Sequence, residues 1–384
     1  MTFHHHAIWA TAFRPMYLCA SIYGVCSILL WGFGFHGTAA LPHYLWHAHE
    51  MIYGYAGAII VGFLHTAVPN WTGLPPRNGR FLMVLTALWL LARTSIYFSQ
   101  LAVISGICGT LFFWIAAWEM ARMLIKTNNR HNYIAAFALF LFGGSHLAFH
   151  LLVLWQRFDL LLNGLLAGLM IVAGFIGLIG SRVIPFFIAR RLNVEQVNSP
   201  KKWLLAALLL PLMAAVLLLF PAASPLAGAS CLAAGVLGLV QVVRWHHKNI
   251  WSESMLWILC AGYALTAAGL LFLGLYCMAL PISVSLGVHL IAVGGIGSLT
   301  VGMMARTAAG HTGRAIYPAP KGLTAAFVLM IAAACVRSLT VFAPAAYYPA
   351  AIRLSAVLFA LSLAIYCIRY APWLIRPRLD GRAG

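Results

Sequence analysis

The chain has 384 residues, 63% of them hydrophobic and 8% charged, with a net charge of +18. Apolar stretches of about 20 residues, the length that crosses a bilayer, recur along the whole sequence, which excludes a soluble globular protein. No long hydrophilic region is left for a soluble domain, so the sequence predicts one all-α integral membrane domain over residues 1–384.

Twelve spans are expected: 17–35, 48–70, 80–98, 100–124, 132–155, 160–188, 202–222, 224–244, 254–278, 281–306, 321–341 and 349–370. Arg14 and Pro15 lead straight into the first, so no separate cleavable signal is expected. Arg77 and Arg80 follow span 2, and Arg122, Lys126 and Arg130 follow span 4. Arg190, Arg191, Lys201 and Lys202 follow span 6, and Arg244 and Lys248 follow span 8. Arg306, Arg314 and Lys321 surround the loop after span 10; Arg369, Arg376, Arg378 and Arg382 follow span 12. A nucleic-acid surface has no reason to alternate with spans. The positive-inside rule explains the alternation and puts both termini in the cytoplasm.

Span 2 opens on His47-Ala48-His49-Glu50, two imidazoles and a carboxylate at the edge of an apolar segment. Ionisable groups at membrane depth are costly and mark functional sites. At 1.5 Å rise per residue, His49 lies about 5 Å, His150 about 7 Å, His289 about 12 Å and His146 about 13 Å from the outer ends of their spans. His47 lies just above them, and these five histidines are the candidate metal and cofactor ligands. His146 and His150, four apart, share one helix face. His65 is about 24 Å along the helix from His49 and is left out. The competing reading, that each histidine only hydrogen-bonds a neighbouring helix, stays open. Glu50 is the one acid placed to shuttle a proton from the outer surface.

Arg93, Arg157, Arg337 and Arg353 break the positive-inside pattern, with only Glu50 and Asp159 as acids on that side. This imbalance leaves room for an exogenous anion. Haem propionates fit, with Arg93, Arg337 and Arg353 as the candidate cations; snorkelling to lipid phosphate is the alternative. The eight cysteines form no CxxC, so any haem is held non-covalently, as b-type, and the cysteines read as small core residues. His4-His5-His6 is terminal and is assigned no role.

Three helix ends look alike, at Arg122, Arg244 and Arg369, and spans 2, 6 and 10 are each glycine-rich. A period of about 120 residues would give three four-helix repeats in a pseudo-three-fold bundle. Spans 2, 6 and 10 would then be equivalent inner helices, two of them carrying histidine.

The chain resembles the NnrS family over essentially its full length. The matching stretches are Ala12-Phe13-Arg14-Pro15, Trp46-His47-Ala48-His49-Glu50-Met51 and Thr66-Ala67-Val68-Pro69-Asn70-Trp71-Thr72-Gly73. Arg182-Val183-Ile184-Pro185-Phe186-Phe187, Gly302-Met303-Met304-Ala305-Arg306, Gly310-His311-Thr312-Gly313-Arg314 and Asp380-Gly381-Arg382-Ala383-Gly384 also match. The resemblance implies a bacterial inner-membrane protein that contains haem and copper and is linked to nitric oxide metabolism and nitrosative stress. It fixes neither a catalytic role nor a ligand set nor an electron donor. An NO-metabolising oxidoreductase, a haem or NO sensor, and a metal or anion transporter all remain open, each in contact with membrane lipid.

Overall fold

The computed structural model describes residues 6–381; His4, His5 and Arg382 lie outside them. Among the described residues twelve helices follow one another: α1 (Phe13–Gly32), α2 (Tyr44–Thr72), α3 (Arg80–Ser95), α4 (Ser99–Lys126), α5 (Arg130–Leu154) and α6 (Phe158–Leu192). Then come α7 (Lys201–Leu217), α8 (Pro221–Trp245), α9 (Ser254–Cys277), α10 (Val284–His311), α11 (Leu323–Phe342) and α12 (Ala345–Ile375). No strand occurs among the described residues. Among the described residues ten helices are long and apolar enough to cross a membrane, and the protein is an all-α polytopic membrane protein.

The two shorter helices, α3 with 16 residues and α7 with 17, end before the predicted boundaries. They rise about 24–26 Å, less than a hydrocarbon core of roughly 30 Å. Each stops in a turn: Phe98 N–H returns to Ser95 O at 3.1 Å, and Phe220 N–H to Leu217 O at 3.0 Å just before Pro221. Elsewhere the stop signals act as the sequence suggests. Gly73, at φ +69°, ends α2 by donating its N–H to Pro69 O at 2.8 Å.

The chain divides into two compact units. The first comprises Met1–Leu165, Met304–Pro318 and Leu363–Gly384; the second comprises Leu166–Met303 and Ala319–Ser362. In the first, α5 packs on α4, α4 on α3, and α1 along α2. In the second, α9 packs on α8 and on the start of α10, and α11 lies against α10. Small residues allow these approaches: a Cβ on Gly228 would stand 2.7 Å from Gly274 O.

Two of the three predicted inner helices share a local irregularity. In α2, the α-helical run Tyr44–His49 passes into a π-helical segment, Glu50–Ala56, before α-helix resumes at Gly57–Thr72. In α10, Val284–His289 passes into π-helical Leu290–Gly297 and then into Ser298–His311. The third, α6, is regular α-helix over Leu161–Leu192. All eight cysteines are free.

Candidate metal centre

The first unit brings three of the five predicted histidines together. One ligand nitrogen from each of His49, His146 and His150 lies within 4.8 Å of the others. The sequence placed these three at similar depth, and α4 explains how the α5 pair reaches α2. A Cβ on Gly109 would stand 2.5 Å from His146 Cε1, and one on Gly106 would stand 3.0 Å from His150 Cγ. Any larger residue at Gly109 would push the His146 ring aside. His49 and His146 are fully buried, and His150 is half-buried. Tyr53 and Phe149 close over the His49 ring, with centroids at 5.3 and 5.2 Å.

The ring nitrogens are oriented from behind. His49 Nδ1–H donates to Glu50 Oε1 at 2.7 Å, which fixes Nε2 as the basic nitrogen. That Nε2 faces His150 Nε2 at 3.1 Å. His146 Nδ1 is 3.0 Å from Thr110 Oγ1, while its Nε2 is buried with no hydrogen-bond partner among the described residues. A buried, unsatisfied imidazole nitrogen is costly. His150 Nε2–H can donate to His49 Nε2, which leaves His146 Nε2 as the nitrogen that a cation would satisfy.

Glu50 is fully buried and its second oxygen is engaged as well. Tyr23 O–H donates to Oε2, and Arg93 Nε forms an ion pair with the same oxygen at 3.1 Å. Arg93, predicted to face a propionate, is therefore charge-balanced by Glu50. Gly54 makes this possible: a Cβ there would stand 2.9 Å from Arg93 Nη1. Trp89 Nε1–H donates to Gly54 O at 3.0 Å and holds the π-helical segment against α3.

The remaining predicted residues lie elsewhere. His47 points away from His49, as two positions on a helix dictate, and stacks on Trp31 with ring centroids at 4.8 Å. His65 Nε2–H donates to Ala116 O at 3.0 Å and is not part of the cluster. Arg157 pairs with Asp159 at 2.8 Å. His289 belongs to the second unit, where its Nδ1–H donates to Ser285 O at 2.8 Å. Arg337, half-buried near the end of α11, and Arg353, exposed on α12, also belong to that unit. Sequence reading missed Tyr23, Thr110 and Trp89, which carry no local signal. It also passed over Gly106 and Gly109, whose i, i+3 spacing on α4 was a legible sign of close approach.

No curated protein matches the chain. The family model described as NnrS protein matches residues 7–378. That match covers nearly the whole chain, and with it the protein belongs to the NnrS family, membrane proteins linked to the nitric oxide response.

Proposed function

We propose that the protein captures nitric oxide at a copper ion held by His49, His146 and His150. It does so in the bacterial inner membrane, with both termini in the cytoplasm. The observation that carries this reading is the buried, unpartnered Nε2 of His146 beside the two facing nitrogens at 3.1 Å. All three ligand nitrogens lie within 4.8 Å of one another, so small rotations of the rings would bring them onto one ion. An all-imidazole donor set suits copper or zinc, and zinc offers no redox chemistry.

A haem does not fit among these three residues. The three rings converge on one point, Tyr53 and Phe149 close over His49, and Gly109 backs directly onto His146, which leaves room for an ion and none for a macrocycle. The haem that the family implies is assigned instead to His289. Its bond to Ser285 O fixes Nε2 as the basic nitrogen, the preparation seen in histidine ligands. Arg337 and Arg353 are the cations proposed for the propionates.

A bound copper would supply a centre that coordinates NO and exchanges one electron. The chain's residues position and insulate it. Glu50 anchors His49, and Arg93 and Tyr23 balance the Glu50 carboxylate. Tyr53 and Phe149 exclude water, while NO, small and apolar, arrives through lipid. With both Glu50 oxygens engaged, it serves as a positioning anion rather than a proton shuttle, which favours capture over turnover. Metal analysis of the purified full chain should give one copper per chain, with a copper electron-paramagnetic signal altered by anaerobic NO. Unchanged copper in the triple variant His49→Ala, His146→Ala, His150→Ala would end this reading.

A further inference from the structure

Three of the stretches that carry the family resemblance meet in the first unit, away from any role given above: those around Arg14, Arg314 and Asp380. Arg14 is fully buried. Its Nη1 donates to Trp373 O at 3.3 Å, Leu374 O at 2.9 Å and Arg376 O at 2.7 Å. These carbonyls form the negative end of α12, so one nitrogen of Arg14 is accounted for as a helix cap. Its Nε and Nη2 are equally buried and find no acceptor among the described residues.

The surroundings add positive charge rather than relieving it. Arg378 and Arg314 both repel the Arg14 guanidinium, and Arg376 in turn repels Arg314. Arg314 lies over the Trp373 ring at 4.9 Å, and Arg378 Nη1 donates to His311 O at 2.9 Å. The carboxylate among them, Asp380, accepts from Nε and Nη2 of Arg378 at 2.8 and 2.6 Å. Asp380 thus neutralises Arg378, and no carboxylate among the described residues is bonded to Arg14 or Arg314. Burying a guanidinium with idle donors is costly, and crowding like charges adds to that cost. An anion with several acceptor oxygens removes both.

We propose that Arg14, Arg314 and Arg378 form a binding site for a phosphate-type oxyanion. Guanidinium forks match phosphate oxygens two at a time, which suits Nε and Nη2 of Arg14. Arg314 and Arg378 are partly exposed and form the side from which an anion enters. A lipid headgroup and inorganic phosphate carry the same chemistry. If Arg14 were only the cap of α12, its environment would be indifferent to phosphate.

The test uses the delipidated full chain in detergent and follows its unfolding temperature. Sodium phosphate should raise that temperature saturably, and sodium chloride at matched ionic strength should not. Arg314→Gln and Arg378→Gln should each weaken the phosphate response by about tenfold, the loss of one charged hydrogen bond. Arg130→Gln, at the start of α5, should leave it unchanged. Arg14 itself is a poor test residue, because its Nη1 holds the end of α12. Short-chain phosphatidylglycerol, set against phosphatidylcholine, separates the sources. Tighter binding of phosphatidylglycerol than of inorganic phosphate identifies a lipid headgroup, and the reverse identifies the free ion. No response to either, or an equal response in wild type and Arg314→Gln, overturns the site.

Discussion

In α2 a six-residue α-helical run ends on His49 and passes into a π-helical segment; in α10 a run of the same length ends on His289 and does likewise. The two histidines stand roughly 240 residues apart, two of the predicted repeat units. π-Helical turns are rare and gather at functional sites. Their neighbours differ, however. After His49 comes Glu50, which takes the ring's Nδ1–H and is itself held by Arg93 and Tyr23. After His289 the segment reads Leu-Ile-Ala-Val-Gly-Gly-Ile-Gly, and the ring bonds Ser285 of its own helix. One backbone device thus orients two imidazoles. The residue that follows, and the helix opposite, decide what each can hold: a charged network with two more imidazoles for His49, a tautomer set by the backbone for His289.

The largest test of this contrast is the pair of ligand deletions. His146→Ala should lower copper affinity by more than about 100-fold, beyond the 10–100-fold typical of an outer partner, and leave haem in place. His289→Ala should do the reverse. Metal analysis and the visible spectrum of each variant would read both, and parallel loss of both metals in both variants would merge the two centres into one.

Glu50→Gln probes the difference between the two following residues. It should cost about 10–100-fold in copper affinity. It also leaves Arg93 buried without its counter-charge, for about 3–5 kcal/mol of stability. Adding Arg93→Gln should restore part of the stability but not the affinity. Recovery of both would mean that Glu50 serves Arg93 alone. Equilibrium copper competition and thermal unfolding separate these outcomes.

Gly109→Ala should act through packing. The added methyl displaces the His146 ring, with a strain of about 1–3 kcal/mol and a copper affinity reduced by about tenfold. Wild-type copper affinity in that variant would show that His146 is not a ligand. The smallest effect is expected at Ser285→Ala. It removes the Oγ contact with His289 at 3.1 Å and spares the backbone carbonyl. A change of about 0.5–1.5 kcal/mol or less is expected, with a small shift in the haem spectrum and none in copper content. Loss of haem in Ser285→Ala would show that the hydroxyl, rather than the carbonyl, sets the tautomer.

The helix pattern and its basic loops were legible because a bilayer imposes length and charge rules on each segment separately. The spacing of His146 and His150 gave their common face, and the rise per residue excluded His65. The pairing of Arg93 with Glu50 was less visible. The two are far apart in sequence, and only the packing of α3 on α2 brings them to 3.1 Å. The unpaired chemistry around Arg14 was hidden for the same reason, since it depends on the end of α12 returning to the start of α1.

By itself, then, the sequence determined the all-α membrane class and the order of the helices, because these follow from local hydrophobicity. Tertiary structure alone decided which of these groups meet. Whether an imidazole meets two others, a carboxylate or its own helix depends on helix rotation. That rotation is set by the extra residue in each π-helical turn and by the glycines that let α5 approach α2 across α4.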